Sequence, residues 1–402
     1  MSADTAVRCL WFAVVLLAAP LARADQRVEM IDARSTKGEL VAITDEAVEL
    51  RIEGKNTTLP RSDVAEIWFA DAPDAIDQSG GAVVTTAAGD VLNARWIAGG
   101  ADELAFDNPL AGKVGIKFSL ARAIYLPGPG QTARHVINKS RELKMPAPTT
   151  DALIIDQKDK GWTPVSGVLV GIGLDKVAFR WKDADRTIDR SSVRAIRLAA
   201  VEKPPSQSAG VLIGRQGCRV AFSTLETKGK VVAVETLGLG PREIPRDRVA
   251  AIQFHSGRVV KLTDLTPVSV KEVPFFDMKF PFRVNRAVSG KPLRLAGETY
   301  AAGLGVHSFC ELTYDVAGRY KSFIALVGID DAVRPAGSAA LTFLGDGKPL
   351  CEPLELTGRT GPAWVRVENL AGVRQFTIRV DYGPDGIDVA DHVNLVAPRF
   401  IK

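Results

Sequence analysis

Apolar and polar residues alternate with period two along most of this chain, in short runs broken by Gly, Asp or Pro. That period marks half-buried β-strands. One phrase set recurs. Its first copy reads Val28-Glu-Met-Ile-Asp32, Gly38-Glu-Leu-Val-Ala-Ile43, Ala47-Val-Glu-Leu-Arg51, Leu59-Pro60 and Val64-Ala-Glu-Ile-Trp-Phe69. The ending returns as Leu120-Ala-Arg-Ala-Ile-Tyr-Leu126, Val193-Arg-Ala-Ile-Arg-Leu198 and Val249-Ala-Ala-Ile-Gln-Phe254. Four units follow, at 26–70, 81–127, 151–200 and 209–262. Each holds about five short strands.

So many strands in so few residues predict closure, because an open edge invites pairing with other chains. The units resemble small Sm-like barrels at the level of fold. Their uneven spacing predicts separate beads or pairs rather than a solenoid. The Ala70–Gly81 and Pro204–Ser208 stretches read as linkers. Between Pro127 and Thr150, the segment 131–150 carries Val136, Ile137 and Leu143 among charges, and predicts one short helix in a linker. Trp68, Trp96, Trp162 and Trp181 are spread over the first three units, where packing in a core or an interface is the expected role.

From Leu293 onward short strands recur at the spacing of a β-sandwich, with turns at Ala317-Gly318, Gly345-Asp-Gly347, Thr357-Gly358 and Gly383-Pro384. The fold class expected for the whole is mainly β, small barrel units followed by a sandwich.

Within this last third stand Gly303-Leu-Gly-Val-His-Ser308, Leu312-Thr-Tyr-Asp315, Tyr320-Lys-Ser-Phe323, Val327-Gly-Ile-Asp-Asp331 and Asp385-Gly-Ile-Asp-Val-Ala-Asp-His392. In order and spacing, 266–402 resembles the NPCBM module found beside glycoside hydrolase family 98. The resemblance implies a jelly-roll sandwich of galactose-binding-like type and a glycan or polysaccharide as partner. A sugar asks for directional hydrogen-bonding groups and a flat apolar platform. His307, Asp330, Asp331, Asp388, Asp391, His392 and Asn394 are the candidates for the first, and Trp364, with Tyr300 or Tyr382, for the second. Each has a plainer reading: a satisfied buried histidine at His307, a turn cap at Asp330-Asp331. Asp385, Asp388 and Asp391 offer oxygens of the kind calcium takes. The chain departs from the module where an Asp-Trp phrase is usual, having Asn394-Leu395 and then Ala397. Either a sugar contact is lost there, or the indole was core packing that Leu395 replaces.

The N-terminus reads as a signal peptide over 1–24. Arg8 precedes the apolar run Cys9–Leu21, and Ala22-Arg23-Ala24 fits a cleavage site. That places the protein outside the cytoplasm, secreted or in the periplasm or envelope, with no membrane span after cleavage. Beyond Cys9, Cys218, Cys310 and Cys351 remain, and Cys310 can pair with Cys351 or all three can be buried thiols. Basic and acidic residues number 51 and 47 and are interspersed, which excludes a nucleic-acid footprint. No serine elbow, H-E-x-x-H, P-loop or dinucleotide glycine pattern occurs. The expected function is therefore non-catalytic glycan binding. Its rivals are an envelope scaffold contacting other envelope proteins, its sandwich having lost its sugar, and an exported hydrolase with an unrecognised site.

Overall fold

The computed structural model describes residues 26–69, 81–95, 97–99, 103–157, 160–199, 208–275 and 279–402. The expected signal peptide, Trp96 and most of the two linkers lie outside them. No helix among them is long and apolar enough to cross a membrane.

Each N-terminal unit lays out five strand positions. The first has β1 (Gln26–Met30), β2 (Ser35–Ile43), β3 (Ala47–Ile52), β4 (Lys55–Pro60) and β5 (Val64–Trp68). In the second, β6 (Ala82–Thr86) precedes a second position split into β7 (Val91–Ala94) and β8 (Ile97–Gly99), then β9 (Glu103–Asn108), β10 (Gly112–Lys117) and β11 (Ala121–Tyr125). Helix α1 (Ala133–Glu142) intervenes, its N-terminus capped by the Thr132 hydroxyl accepting from His135 N. The third unit has β12 (Asp151–Gln157), β13 (Gly161–Ile172), β14 (Lys176–Trp181), β15 (Ala184–Asp189) and β16 (Val193–Arg197). The fourth has β17 (Gly210–Gly214), β18 (Arg219–Lys228), β19 (Val231–Thr236), β20 (Gly240–Pro245) and β21 (Val249–Phe254).

In every unit the fifth strand pairs with the first, and the rest follow as a meander. The expected barrels do not close. Among the described residues no ladder joins a fourth strand to the fifth strand of its own unit. The reason is competition for the edge. β5 of unit one pairs antiparallel with β21 of unit four, Ile67 opposite Ile252. β11 of unit two pairs with β16 of unit three, Ile124 opposite Ile196. The units are thus not separate beads. All four feed one apolar core, including Val28, Leu50, Phe106, Ile124, Phe179, Phe222 and Ile252. Arginines of the 3-10 turns before the fifth strands reach across the pairs. The Arg61 guanidinium lies 4.2 Å from the Phe254 ring centroid, and Arg190 Nη1 donates to Ile97 O at 2.8 Å. Trp68 sits at the seam of units one and four, opposite Ala251. Trp162 is buried with Val136 of α1, Ile154 and Ala195, whereas Trp181 lies exposed.

After β22 (Val259–Lys261) come β23 (Ser269–Glu272), β24 (Arg283–Val284), β25 (Leu293–Leu295), β26 (Glu298–Tyr300), β27 (Gly303–Val306), β28 (Cys310–Asp315) and β29 (Ser322–Ile329). β30 (Ser338–Gly345), β31 (Lys348–Pro349), β32 (Leu354–Thr357), β33 (Ala363–Val367), β34 (Gln375–Tyr382) and β35 (Val393–Ile401) complete the chain. They form the expected two-layered sandwich. One sheet runs β24-β27-β35-β29-β33, with β22 on β35; the other runs β23-β28-β34-β30-β31, with β32 on β30. Alternate residues turn inward, so Phe323, Phe343, Phe376 and Phe400 meet between the layers with centroids 4.9–5.9 Å apart. Leu395 is fully buried in this core, which supports the packing role for its position.

The sandwich is docked on unit one. Ile31 packs against Ile324 and Ile401, and Arg399 Nε donates to Ile31 O at 3.0 Å. Arg366 pairs with Asp32 at 3.0 Å, and Arg258 pairs with Asp63. The three cysteines are free, Cys218 and Cys310 buried and Cys351 exposed, so the Cys310–Cys351 pairing does not form.

Candidate functional site

Two strand ends build one corner of the sandwich. β27 lies antiparallel to β35 with Val306 opposite Val393, so His307 leaving one strand meets His392 entering the other. Gly305 makes the corner possible, since a Cβ there would sit 2.5 Å from Arg286 O and 2.6 Å from Val288 N. The imidazoles meet edge to face at 5.4 Å. Phe280 stacks on His307 at 4.5 Å and lies 5.7 Å from His392. A small cleft beside them is lined by Lys279, Phe280, His307, Ser308 and Phe309.

Asp391 holds the corner from behind. It is fully buried, accepting from Ser308 Oγ at 2.5 Å and from Ser338 N at 2.9 Å. Burial raises its carboxyl to about 6, against the pull of those two donors, with Asp385 and Asp388 adding to the rise. Burial holds both imidazoles below their ordinary range, and His307 lowers His392 further. His307 Nδ1 contacts Ser308 O at 2.6 Å, whereas His392 Nδ1 is buried without a partner. Asp388 is near enough to act electrostatically on His307, and Asp385 stands exposed on the same loop. Tyr382 borders the loop, edge-on to Phe275 at 5.5 Å.

The other sequence candidates divide. Asn394 faces the opposite side of its strand from Val393 and Leu395, beneath the β25–β26 hairpin. There its Nδ2 donates to Asp330 Oδ2 at 2.5 Å and to Arg294 O at 3.2 Å, and its Oδ1 has no partner. Asp330 also accepts from Ala332 N at 2.9 Å. Asp331 accepts from Ala296 N and Gly297 N at 3.0 and 2.7 Å, so it ties the hairpin turn down. These two aspartates hold turns. Trp364 lies away from the histidines, on the outward face of β33 opposite Leu326, and is 51% exposed. Among the described residues no three His, Cys, Asp or Glu side chains are grouped to hold a metal ion, Asp385, Asp388 and Asp391 included, and both Asp391 oxygens accept from Ser308 and Ser338. Sequence reasoning missed Phe280. The signal available was Phe280-Pro-Phe282, an aromatic pair in a stretch without strand alternation.

The arrangement brings two imidazoles and a phenyl face together at one corner, with Asp388 near His307. That set can hydrogen-bond hydroxyls and stack on a ring.

Residues 258–401 match the NPCBM/NEW2 domain family. A stretch of 61 residues is 43% identical to a Renibacterium salmoninarum protein provisionally named endo-alpha-N-acetylgalactosaminidase, spanning 15% of this chain and 4% of that protein. Among solved structures, the CBM51 module of Clostridium perfringens GH95, in complex with methyl-galactose, is 22% identical over 35% of this chain and 99% of its own, with a TM-score of 0.32. The tandem CBM51 modules of the family 98 glycoside hydrolase from Streptococcus pneumoniae cover 93% of this chain and 87% of their own at 14% identity, with a TM-score of 0.31. The C-terminal sandwich, residues 258–401, is an NPCBM domain.

Proposed function

We propose that this protein is an exported, non-catalytic glycan-binding protein. It engages its ligand at the His307–His392 corner, and its four N-terminal units serve as the scaffold. The carrying observation is the packing of Phe280, His307 and His392 into one corner, beside a cleft that Phe280 and His307 line. Imidazole nitrogens and loop carboxylates supply the donors and acceptors that sugar hydroxyls take, and the Phe280 ring supplies an apolar face. The stretch shared with a protein named for action on glycans supports the same ligand class. The commitment of Asp330 and Asp391 to internal hydrogen bonds supports binding over catalysis, since a glycosidase needs two carboxyls free at the scissile bond. The apolar run Cys9–Leu21 before Ala22-Arg23-Ala24 supports export.

The test is a glycan array probed with residues 26–402, followed by calorimetry on the hits. His392→Ala and Asp388→Ala should weaken binding at least ten-fold, with thermal melts showing that each variant still folds cooperatively. No binding to any glycan, or binding untouched by both substitutions, would overturn the reading.

A further inference from the structure

The exposed indole of Trp364 has no part in the histidine corner, yet its surroundings are built. β33 is the edge of its sheet; Val367 turns into the core, while Trp364 and Arg366 point outward, opposite Leu326 and Ile324. One side of the indole is backed by the Arg399 guanidinium, 5.4 Å from the ring centroid. That cation is fixed, donating to Ile31 O at 3.0 Å and Ala397 O at 3.2 Å. Next along the strand, Arg366 donates to Asp32 of unit one at 3.0 Å and pairs with Glu368 at 2.8 Å. Asp32 also binds Arg34 at 2.7 Å. The seam between sandwich and unit one thus carries an anchored aromatic plate flanked by a chain of guanidinium and carboxylate groups drawn from both bodies.

Charges of the two signs alternate along it, so it selects neither a strong anion nor a strong cation. A single ring offers too little apolar area for a protein partner, which needs roughly 800 Å² a side. A neutral pyranose suits it: the apolar C–H face lies on the indole, and vicinal hydroxyls meet the Arg366 guanidinium and the exposed oxygens of Glu368. From Trp364 to Glu368 the row runs about 13 Å, longer than one sugar ring.

We propose that Trp364, Arg366 and Glu368 form a second glycan contact, for a neutral hexose unit of an extended chain, in which the first N-terminal unit takes part through Asp32, which holds Arg366 in place. This deepens the glycan-binding reading and rests on it for the ligand class only.

The experiment titrates residues 26–402 with an array-positive oligosaccharide and with its terminal monosaccharide, reading tryptophan fluorescence and calorimetric heats for wild type, Trp364→Ala, Trp364→Phe, Arg366→Ala and His392→Ala. Trp364→Ala should lose about ten-fold in affinity for the oligosaccharide and little for the monosaccharide, Trp364→Phe should keep most of it, and Arg366→Ala should fall between. Circular dichroism melts confirm that each variant folds. Oligosaccharide binding unchanged in Trp364→Ala but lost in His392→Ala overturns this proposal and leaves the corner standing. The reverse pattern overturns the corner and supports the seam. An array on which wild type binds nothing overturns both.

Discussion

Replacing Asp391 with alanine removes the carboxylate that ties three pieces of the corner together: its own loop, Ser308 beside His307, and Ser338 at the start of β30. The substitution deletes two hydrogen bonds to a fully buried group and leaves the Ser308 hydroxyl, itself 2% exposed, without its partner. An orphaned buried polar group costs about 1–3 kcal/mol, and the half-buried Ser338 N–H recovers part of its loss from water. Relief of the carboxylate's own desolvation, visible in its raised pKa, offsets part of the cost. The net loss expected at pH 7 is roughly 2–3 kcal/mol, a fall in Tm of about 4–12 °C for a domain of this size. Thermal melts of Ser308→Ala, Asp391→Ala and the double variant isolate the pair. A coupling of about 1 kcal/mol or more is expected, and glycan affinity should fall with it because Ser308 adjoins His307. A coupling indistinguishable from zero would refute the idea that this buried pair organises the corner.

Three further outcomes follow from the same geometry. Because the folded Asp391 carboxyl titrates near 6, above its unfolded value, the native state holds a proton that the unfolded chain has released between about pH 4 and 6. This group's contribution to stability therefore falls as pH rises through that window, and melts of Asp391→Asn should lack the component. His307 and His392 act oppositely: with folded pKa values below the ordinary 6.5, their contribution is present above that pH and is lost as pH falls through it, and glycan affinity measured by calorimetry should decline in the same direction. Gly305→Ala should cost about 1–3 kcal/mol in a thermal melt, since its Cβ would press on the Arg286 and Val288 backbone.

The sandwich was legible because period-two runs and turn residues between them are local signals, and so was the helix whose Val136 packs onto Trp162. The strand partners were not. Nothing local in Val64–Trp68 says that its free edge meets Val249–Phe254 rather than closing on Lys55–Pro60, because that choice is made between segments remote in sequence. The candidate site was half legible for a related reason. His307 and His392 stand at the ends of strands whose pairing brings them together, but whether a nearby acid faces cleft or core depends on strand parity and on loop donors. Asp330 and Asp331 meet the backbone N–H groups of Ala332, Ala296 and Gly297, and Asp391 meets Ser308. Phe280 sits in a stretch with no period at all, so only tertiary packing reveals it.

The pairing of unit one with unit four and of unit two with unit three is nested, like brackets within brackets. A chain emerging from its N-terminus must therefore hold the edge of Val64–Trp68 unpaired until Val249–Phe254 has been made, with the inner pair completed in between. An open strand edge is an invitation to wrong partners, so the vulnerable interval in the birth of this protein is set by the outermost bracket. Truncation anywhere before Val249 should yield aggregates rather than shorter, independently soluble strings of units.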